Sequence, residues 1–277
     1  MLKRIVFIGA GNVASHIAPA LEESGAGVVV QVYSRTIESA RLLASELHDA
    51  CPVDEVGLIV DDADIYIISV ADDAIATLVD KIKEAFQSRE GRERLYGEHL
   101  ADNSPLWLHT SGSIGMEALS SLSSRYGVFY PLQTFSKNVD LDVSEVPLFI
   151  EGNSRETLED IKAFAIPSFK RIYEADSRTR RMMHISAVFA CNFTNHLWTL
   201  ASEILAEEGL PFDVLCPLLE ETMRKAFATS PAEGQTGPAA RGDKRVINSH
   251  MKLLEGDKRI IYQLLSDSII SRRDIIS

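Results

Sequence analysis

Hydrophobic positions in the first half of the chain follow two alternating patterns. A β-branched and aromatic run at 3–8 ends at Gly9 and predicts a buried strand. Val13, Ile17 and Leu21 follow at four-residue spacing, which predicts a helix over 12–24 that Gly25 and Gly27 stop. The next strand falls at 28–33, and Thr36 can cap a second helix running to 47. A third apolar strand at 65–70 leads into a helix over 73–86, and 106–109 makes a further short strand. Between them, 87–102 carries Arg89, Glu90, Arg92, Glu93 and Arg94 and reads as a charged surface excursion. Strands alternating with helices imply right-handed crossovers and an α/β fold with a doubly wound, mainly parallel sheet.

Beyond 126 the pattern weakens to short strands at 128–130, 148–151 and 169–173 around one helix at 156–165. After Ser177 the strand signals cease. One long helix is predicted over 179–208, stopped by Gly209, with further helices at 214–229, 244–254 and 258–265. The glycines and prolines of 231–242 predict a loop. The reading is an α/β domain over 1–150 and a mostly α-helical domain over 151–277, the boundary falling within 151–177.

Composition narrows the class. The 277 residues are 45% hydrophobic and 25% charged, which excludes disordered and fibrous chains. Twenty-eight basic against 40 acidic residues give a net charge of −12, unsuited to a nucleic-acid backbone. No apolar run reaches the roughly 18 residues of a membrane span, and the run at 5–8 meets glycine too early for a signal peptide. Cys51, Cys191 and Cys216 form no CxxC pair and fit buried, unreactive thiols in a reducing, cytoplasmic compartment. No cluster of His, Cys, Asp and Glu has metal-ligand spacing.

Candidate chemistry starts at Gly9-Ala10-Gly11-Asn12-Val13-Ala14, a G-x-G-x-x-A run that follows a strand and opens a helix. Gly9 permits the tight turn, Gly11 admits a pyrophosphate close to the backbone, and Ala14 lets helix and sheet pack. The helix N-terminus adds free N–H groups and a positive dipole end. At the tip of the second strand an NAD site places a carboxylate, but here Ser34-Arg35-Thr36 stand instead. Their hydroxyls and guanidinium suit a 2′-phosphate, so NADP is the expected cofactor. The alternative for Arg35 is a solvated surface charge.

These residues, with Ile68-Ser69-Val70-Ala71-Asp72-Asp73 after the next strand, resemble the 6-phosphogluconate dehydrogenase-like superfamily, which includes pyrroline-5-carboxylate reductase and the deazaflavin-dependent NADP oxidoreductases. A further ordered set resembles one subgroup. It comprises His109-Thr110-Ser111-Gly112-Ser113, Tyr130-Pro131-Leu132-Gln133-Thr134-Phe135, His184 with Asn192, Thr236-Gly237-Pro238 and Arg241-Gly242-Asp243. That subgroup is the Rossmann-like proteins with a C-terminal domain of unknown function, number 2520. The resemblance implies an NADP-binding domain, with Val70, Ala71 and Asp72 at the cofactor, and a helical domain that pairs two subunits. The chain departs from the superfamily's hydroxyacid dehydrogenases in one respect. Their lysine-x-x-x-asparagine pair is absent from its long helix, which carries Arg178, Arg180 and Arg181 and then His184-Ile185-Ser186-Ala187-Val188.

Catalytic candidates follow. At 100° per residue, His184, Val188, Cys191 and Asn195 share a helical stripe, with Asn192 at its edge. Histidine exchanges protons near neutrality, and Asn192 can orient a carbonyl or hydroxyl. The alternative is a histidine satisfied within a packing interface. His109 falls at the carboxyl end of a parallel strand, where ligands bind in such sheets, followed by Ser111 and Gly112. The alternative there is an ordinary turn in which Ser113 caps a helix with Glu117. Gln133 is a candidate cleft residue, while Arg241 and Asp243 fit a structural ion pair. The reading is an NADP-dependent oxidoreductase acting on a small carbonyl, hydroxyl or imine substrate between the domains. A non-catalytic NADP sensor and an imine reductase of the pyrroline-carboxylate type are the rivals. Trp198, Leu200, and the tail residues Leu264, Leu265, Ile269, Ile270, Ile275 and Ile276 supply apolar surface for a homodimer; the alternative is a monomer whose tail folds back over its own α/β domain.

Overall fold

The computed structural model describes residues 2–88, 104–137 and 139–276. The expected charged excursion at 87–102 therefore lies outside the described residues from 89 onward. The chain divides into two compact units, Met1–Cys191 and Asn192–Ser277.

In the first unit, β1 (Lys3–Ile8), α1 (Asn12–Glu23), β2 (Gly27–Tyr33), α2 (Ile37–Ala44), β3 (Cys51–Val53), β4 (Ile65–Ile68) and α3 (Asp72–Gln87) alternate as expected. They are followed by β5 (Leu106–His109), β6 (Arg125–Pro131), β7 (Leu148–Gly152), α4 (Arg155–Ala165), β8 (Ile172–Glu174) and α5 (Ser177–Ala187). The strands form one eight-stranded sheet in the order β3-β2-β1-β4-β5-β6-β7-β8. Pairing is parallel from β3 to β6; β7 runs antiparallel to β6, and β8 runs parallel to β7.

The period-2 alternation of β1 divides the core in two. Ile5 and Phe7 pack with Ala14, Ile17 and Leu21 of α1, whereas Val6 and Ile8 pack with Ile75, Leu78, Val79 and Ile82 of α3. All four β1 side chains are fully buried, each contributing about 1.5–3 kcal/mol relative to exposure. Helices on both faces of a mainly parallel sheet make this a Rossmann-type fold. Strands β7 and β8 carry the sheet to Glu174, inside the expected 151–177, and α5 then belongs to the first unit, which ends at Cys191.

The short β3 carried no strand signal because Pro52 interrupts it. Proline is tolerated there because, among the described residues, β3 pairs only with β2 and needs no second row of N–H donors. The expected long helix 179–208 is helical but not uniform: a π-helical turn at Val188–Phe193 joins α5 to α6 (Thr194–Glu207). The cysteines differ from expectation as well. Cys51 on the edge strand and Cys191 in the π turn are exposed, and Cys216 is half-buried.

The second unit holds α6, α7 (Cys216–Ala228), α8 (Pro238–Arg241), α9 (Lys244–Met251) and α10 (Gly256–Ile276). Lys258 ties the start of α10 to Glu203 and Glu207 of α6 at 3.2 and 3.1 Å. The expected loop at 231–242 contains α8. Asp243 caps α9 by accepting the Val246 N–H at 3.1 Å. Helix α10 runs past the expected 265 because Gln263–Asp267 and Ser268–Arg272 bond across successive turns. No helix among the described residues is long and apolar enough to cross a membrane.

Candidate active site

The carboxyl edge of the sheet is set by one row in register: Tyr33, Ile8, Ile68, His109 and Val128, on β2, β1, β4, β5 and β6. Gly9, Ser34, Ser69 and Thr110, the residues next in sequence to the first four, cross the same edge.

Gly9 has φ +116°, and a Cβ there would stand 2.1 Å from the Ser69 carbonyl oxygen, so only glycine fits. Its N–H donates to the Tyr33 carbonyl at 2.8 Å, closing the turn. Gly11 caps α1 with no side-chain hydrogen bond and no acidic residue in the first turn. A Cβ at Gly11 would meet nothing within 4 Å, and Ala14 is fully buried. Val13 packs partly buried against the core. The turn therefore presents free backbone donors, a positive helix end and open space, which fits a phosphate group.

The side chain of Asn12 is engaged away from the turn, leaving its backbone N–H at the helix start. Its side-chain amide donates to the Phe135 carbonyl at 3.0 Å. One turn on, His16 Nε2–H donates to the Ser136 carbonyl at 3.0 Å. The segment after β6 is thus strapped to the first turns of α1. Gln133 lies in that segment, exposed, and its Oε1 accepts the Thr134 N–H at 2.8 Å.

At the β2 tip, Ser34 N–H donates to the Val53 carbonyl at 3.0 Å and the Thr36 hydroxyl donates to Ser39 Oγ at 2.8 Å. Arg35 is exposed between them. After β4, Val70 closes against Gly9, Ala71 caps α3 without a side-chain bond, and Asp72 opens that helix.

His109 is fully buried and both ring nitrogens are committed. Nδ1 accepts the Ser111 N–H at 3.2 Å, and Nε2–H donates to the Gly115 carbonyl at 3.3 Å. Burial first, and then the charge of Arg180, lower its pKa to about 4. Both ring nitrogens are thus engaged inside the 109–115 loop, which the imidazole braces. Ser111, not Ser113, caps that turn: its Oγ accepts the N–H groups of Ser113 and Ile114, each at 3.0 Å.

His184 is placed by α5 against β6. Its Nδ1 lies 3.0 Å from the Tyr130 hydroxyl, with the rings edge to face. A Cβ on Gly112 would fall 2.8 Å from Tyr130 Cζ and 2.9 Å from His184 Nδ1, so the 109–115 loop lies directly against the pair. One turn before His184, Arg180 is 1% exposed; it donates to Glu151, to the Ile114 carbonyl, and to Ser177 Oγ at 3.3 Å. Arg180 thereby ties α5 to β7 and to the loop that carries Gly112.

Ser111, Gly112 and His184 are therefore brought together. The stripe beyond His184 is not: the π turn breaks the 100° spacing, Phe189 is 65% exposed, and Cys191 and Asn192 are exposed. Asn192 belongs to the second unit. Tyr130, Arg180 and Glu151 were not picked out from sequence. Tyr130 stands within the Tyr130–Phe135 motif and Arg180 among three arginines at the start of the long helix, with no local spacing that marks either.

A glycine turn at an uncapped helix, on the edge of a doubly wound sheet, defines a Rossmann-type protein. Residues 146–269 match the family described as a domain of unknown function (DUF2520), and residues 1–97 match the shikimate/quinate 5-dehydrogenase family. A crystal structure from Bacteroides fragilis, of a protein whose name proposes an NADP oxidoreductase, is 43% identical over 97% of this chain and 98% of its own, with TM-score 0.84. The chain belongs to that family, the Rossmann-like proteins carrying the DUF2520 domain. A Thermotoga maritima protein is 19% identical over 98% of both chains, with TM-score 0.66. A pyrroline-5-carboxylate reductase from Coxiella burnetii is 13% identical over 100% and 99%, with TM-score 0.55. These two show likeness of fold. No curated protein matches the chain in sequence.

Proposed function

We propose that the chain is an oxidoreductase that uses NADP and acts on a small molecule at a carbonyl, hydroxyl or imine carbon. The observation that supports this most is the shared edge: the glycine turn of α1 and the Tyr130–His184 pair both lie at the carboxyl ends of β1 and β4–β6. The name of the 43% identical Bacteroides fragilis protein agrees with it. When bound, the nicotinamide supplies or accepts a hydride.

The chain's own residues have the remaining tasks. Backbone N–H groups from Gly11 to Val13 hold the pyrophosphate, and Ser34, Arg35 and Thr36 hold the 2′-phosphate. Val70, Ala71 and Asp72 border the nucleotide. Ser111 and Gly112 form the wall beside the substrate, His184 gives or takes the proton, and His109 holds the wall in shape. Asn192 and Gln133 have no part in this proposal.

Calorimetric titration with NADPH and NADH tests the cofactor. Tighter binding of NADPH is expected; equal affinity, or none for either, sinks the NADP assignment. A substrate screen following NADPH absorbance then separates keto acids from cyclic imines. Intact binding with no turnover at all would favour a sensor.

We also propose a homodimer formed through the helical unit. Phe227, Leu253, Leu264, Leu218 and Ile260 are each more than 60% exposed there, an apolar set that a two-fold contact would cover. A light-scattering mass near 30.6 kDa that does not change on dilution would refute it.

A further inference from the structure

We propose that Tyr130 sets the tautomer of His184, so that the resting site presents an Nε2–H donor and takes its substrate through an acceptor atom, a carbonyl oxygen or the nitrogen of a neutral imine. This rests on reading the sheet edge as the active site. The Tyr130 hydroxyl and His184 Nδ1 are 3.0 Å apart, and the ring centroids are 6.1 Å apart. Tyr130 is 8% exposed, and His184 is the one hydrogen-bond partner of its hydroxyl among the described residues.

A hydroxyl can donate or accept, but the two orientations are not equivalent here. If the phenol donates to Nδ1, every proton of the pair has a place and the imidazole proton sits on Nε2. If Nδ1–H donates instead, the phenolic proton of a buried residue has no protein acceptor. Burial, and then the nearby Asp72, raise the phenol to about 12, so it keeps its proton at neutral pH. Nε2 has no partner among the described residues and His184 is half-buried, which leaves that nitrogen available to a ligand. From that tautomer the Nε2–H hydrogen-bonds the acceptor atom of the substrate and polarises it, while the Tyr130 phenol keeps its proton.

Nitrogen-15 NMR of the full chain, labelled at histidine, tests this without substrate or cofactor. The wild type is expected to carry the His184 proton on Nε2, with Nδ1 showing the signature of a hydrogen-bonded acceptor. Tyr130→Phe keeps the ring and its edge-to-face contact but removes the donor, so the Nδ1 resonance should move to that of an unbonded imidazole nitrogen. A proton on Nδ1 in the wild type, or a His184 spectrum unaltered by Tyr130→Phe, overturns the proposal. Should the variant not fold, the wild-type spectrum alone decides. The measurement stands whatever the titration with NADPH shows, so the two readings fail separately.

Discussion

Replacing Gly112 with alanine probes the contact between the 109–115 loop and the Tyr130–His184 pair. The added Cβ would stand 2.8 Å from Tyr130 Cζ, 2.9 Å from His184 Nδ1 and 3.0 Å from His184 Cβ. Ordinary carbon contacts begin near 3.5 Å, so both rings must retreat by roughly half an ångström. Neither is free to do so: Tyr130 is 8% exposed on a central strand, and α5 is fixed one turn away by buried Arg180. Overpacking of this kind costs about 1–3 kcal/mol. Stretching the 3.0 Å Tyr130–His184 bond past its useful range adds about 0.5–1.5 kcal/mol. A loss of about 1.5–4.5 kcal/mol is expected in urea unfolding, together with a displaced His184 ring signal by NMR. Gly57→Ala is the control, since a Cβ there meets nothing within 4 Å. If Gly112→Ala proves as stable as Gly57→Ala and leaves the His184 signal in place, the steric argument is wrong.

Arg35→Ala should weaken NADPH binding roughly tenfold to a hundredfold, as expected for one lost charge-assisted contact, while leaving NADH nearly unaffected by calorimetry. Arg180→Met removes the cation of a buried ion pair and leaves Glu151 with only the Ser177 N–H and hydroxyl as donors; thermal and urea unfolding should show a loss of about 3–5 kcal/mol. His109 titrates near 4 when folded, through burial and then Arg180, but near 6.5 when unfolded. Its contribution is therefore complete above about pH 6.5 and is lost as pH falls from there to about 4, on the order of 3 kcal/mol in all. Urea unfolding across that window should show the loss in the wild type and a flatter profile in His109→Gln.

The first half of the fold was legible because each element there has its own signal. Residues 5–8 alternate between two buried faces, Gly9 ends the strand, and Val13, Ile17 and Leu21 repeat at helical spacing. Strand β3 was not legible, because three residues around Pro52 belong to the sheet only through their partner β2. The π turn escaped as well, since a regular 100° spacing is what a sequence stripe presupposes. At the site, the glycines and hydroxyls stood in one short run each and could be found. Tyr130, Glu151 and Arg180 act together only because register pairs Val128 with both His109 and Glu151, and that relation spans three separate strands. Cooperation of that kind has no local spacing to betray it.

The sheet's two outer strands bear on how the protein behaves at high concentration. Both β3 and β8 are only three residues long. A proline in the middle of β3 withholds an N–H that an incoming strand would need. On the opposite margin, Glu174 of β8 is held by Arg155 and Lys162, which places charge where another chain would have to dock. Exposed strand edges are the usual template for fibrous aggregation, and short, charged or proline-broken ones resist it. Pro52→Val should therefore leave the fold intact yet lower the concentration at which the purified protein begins to form thioflavin-positive aggregates.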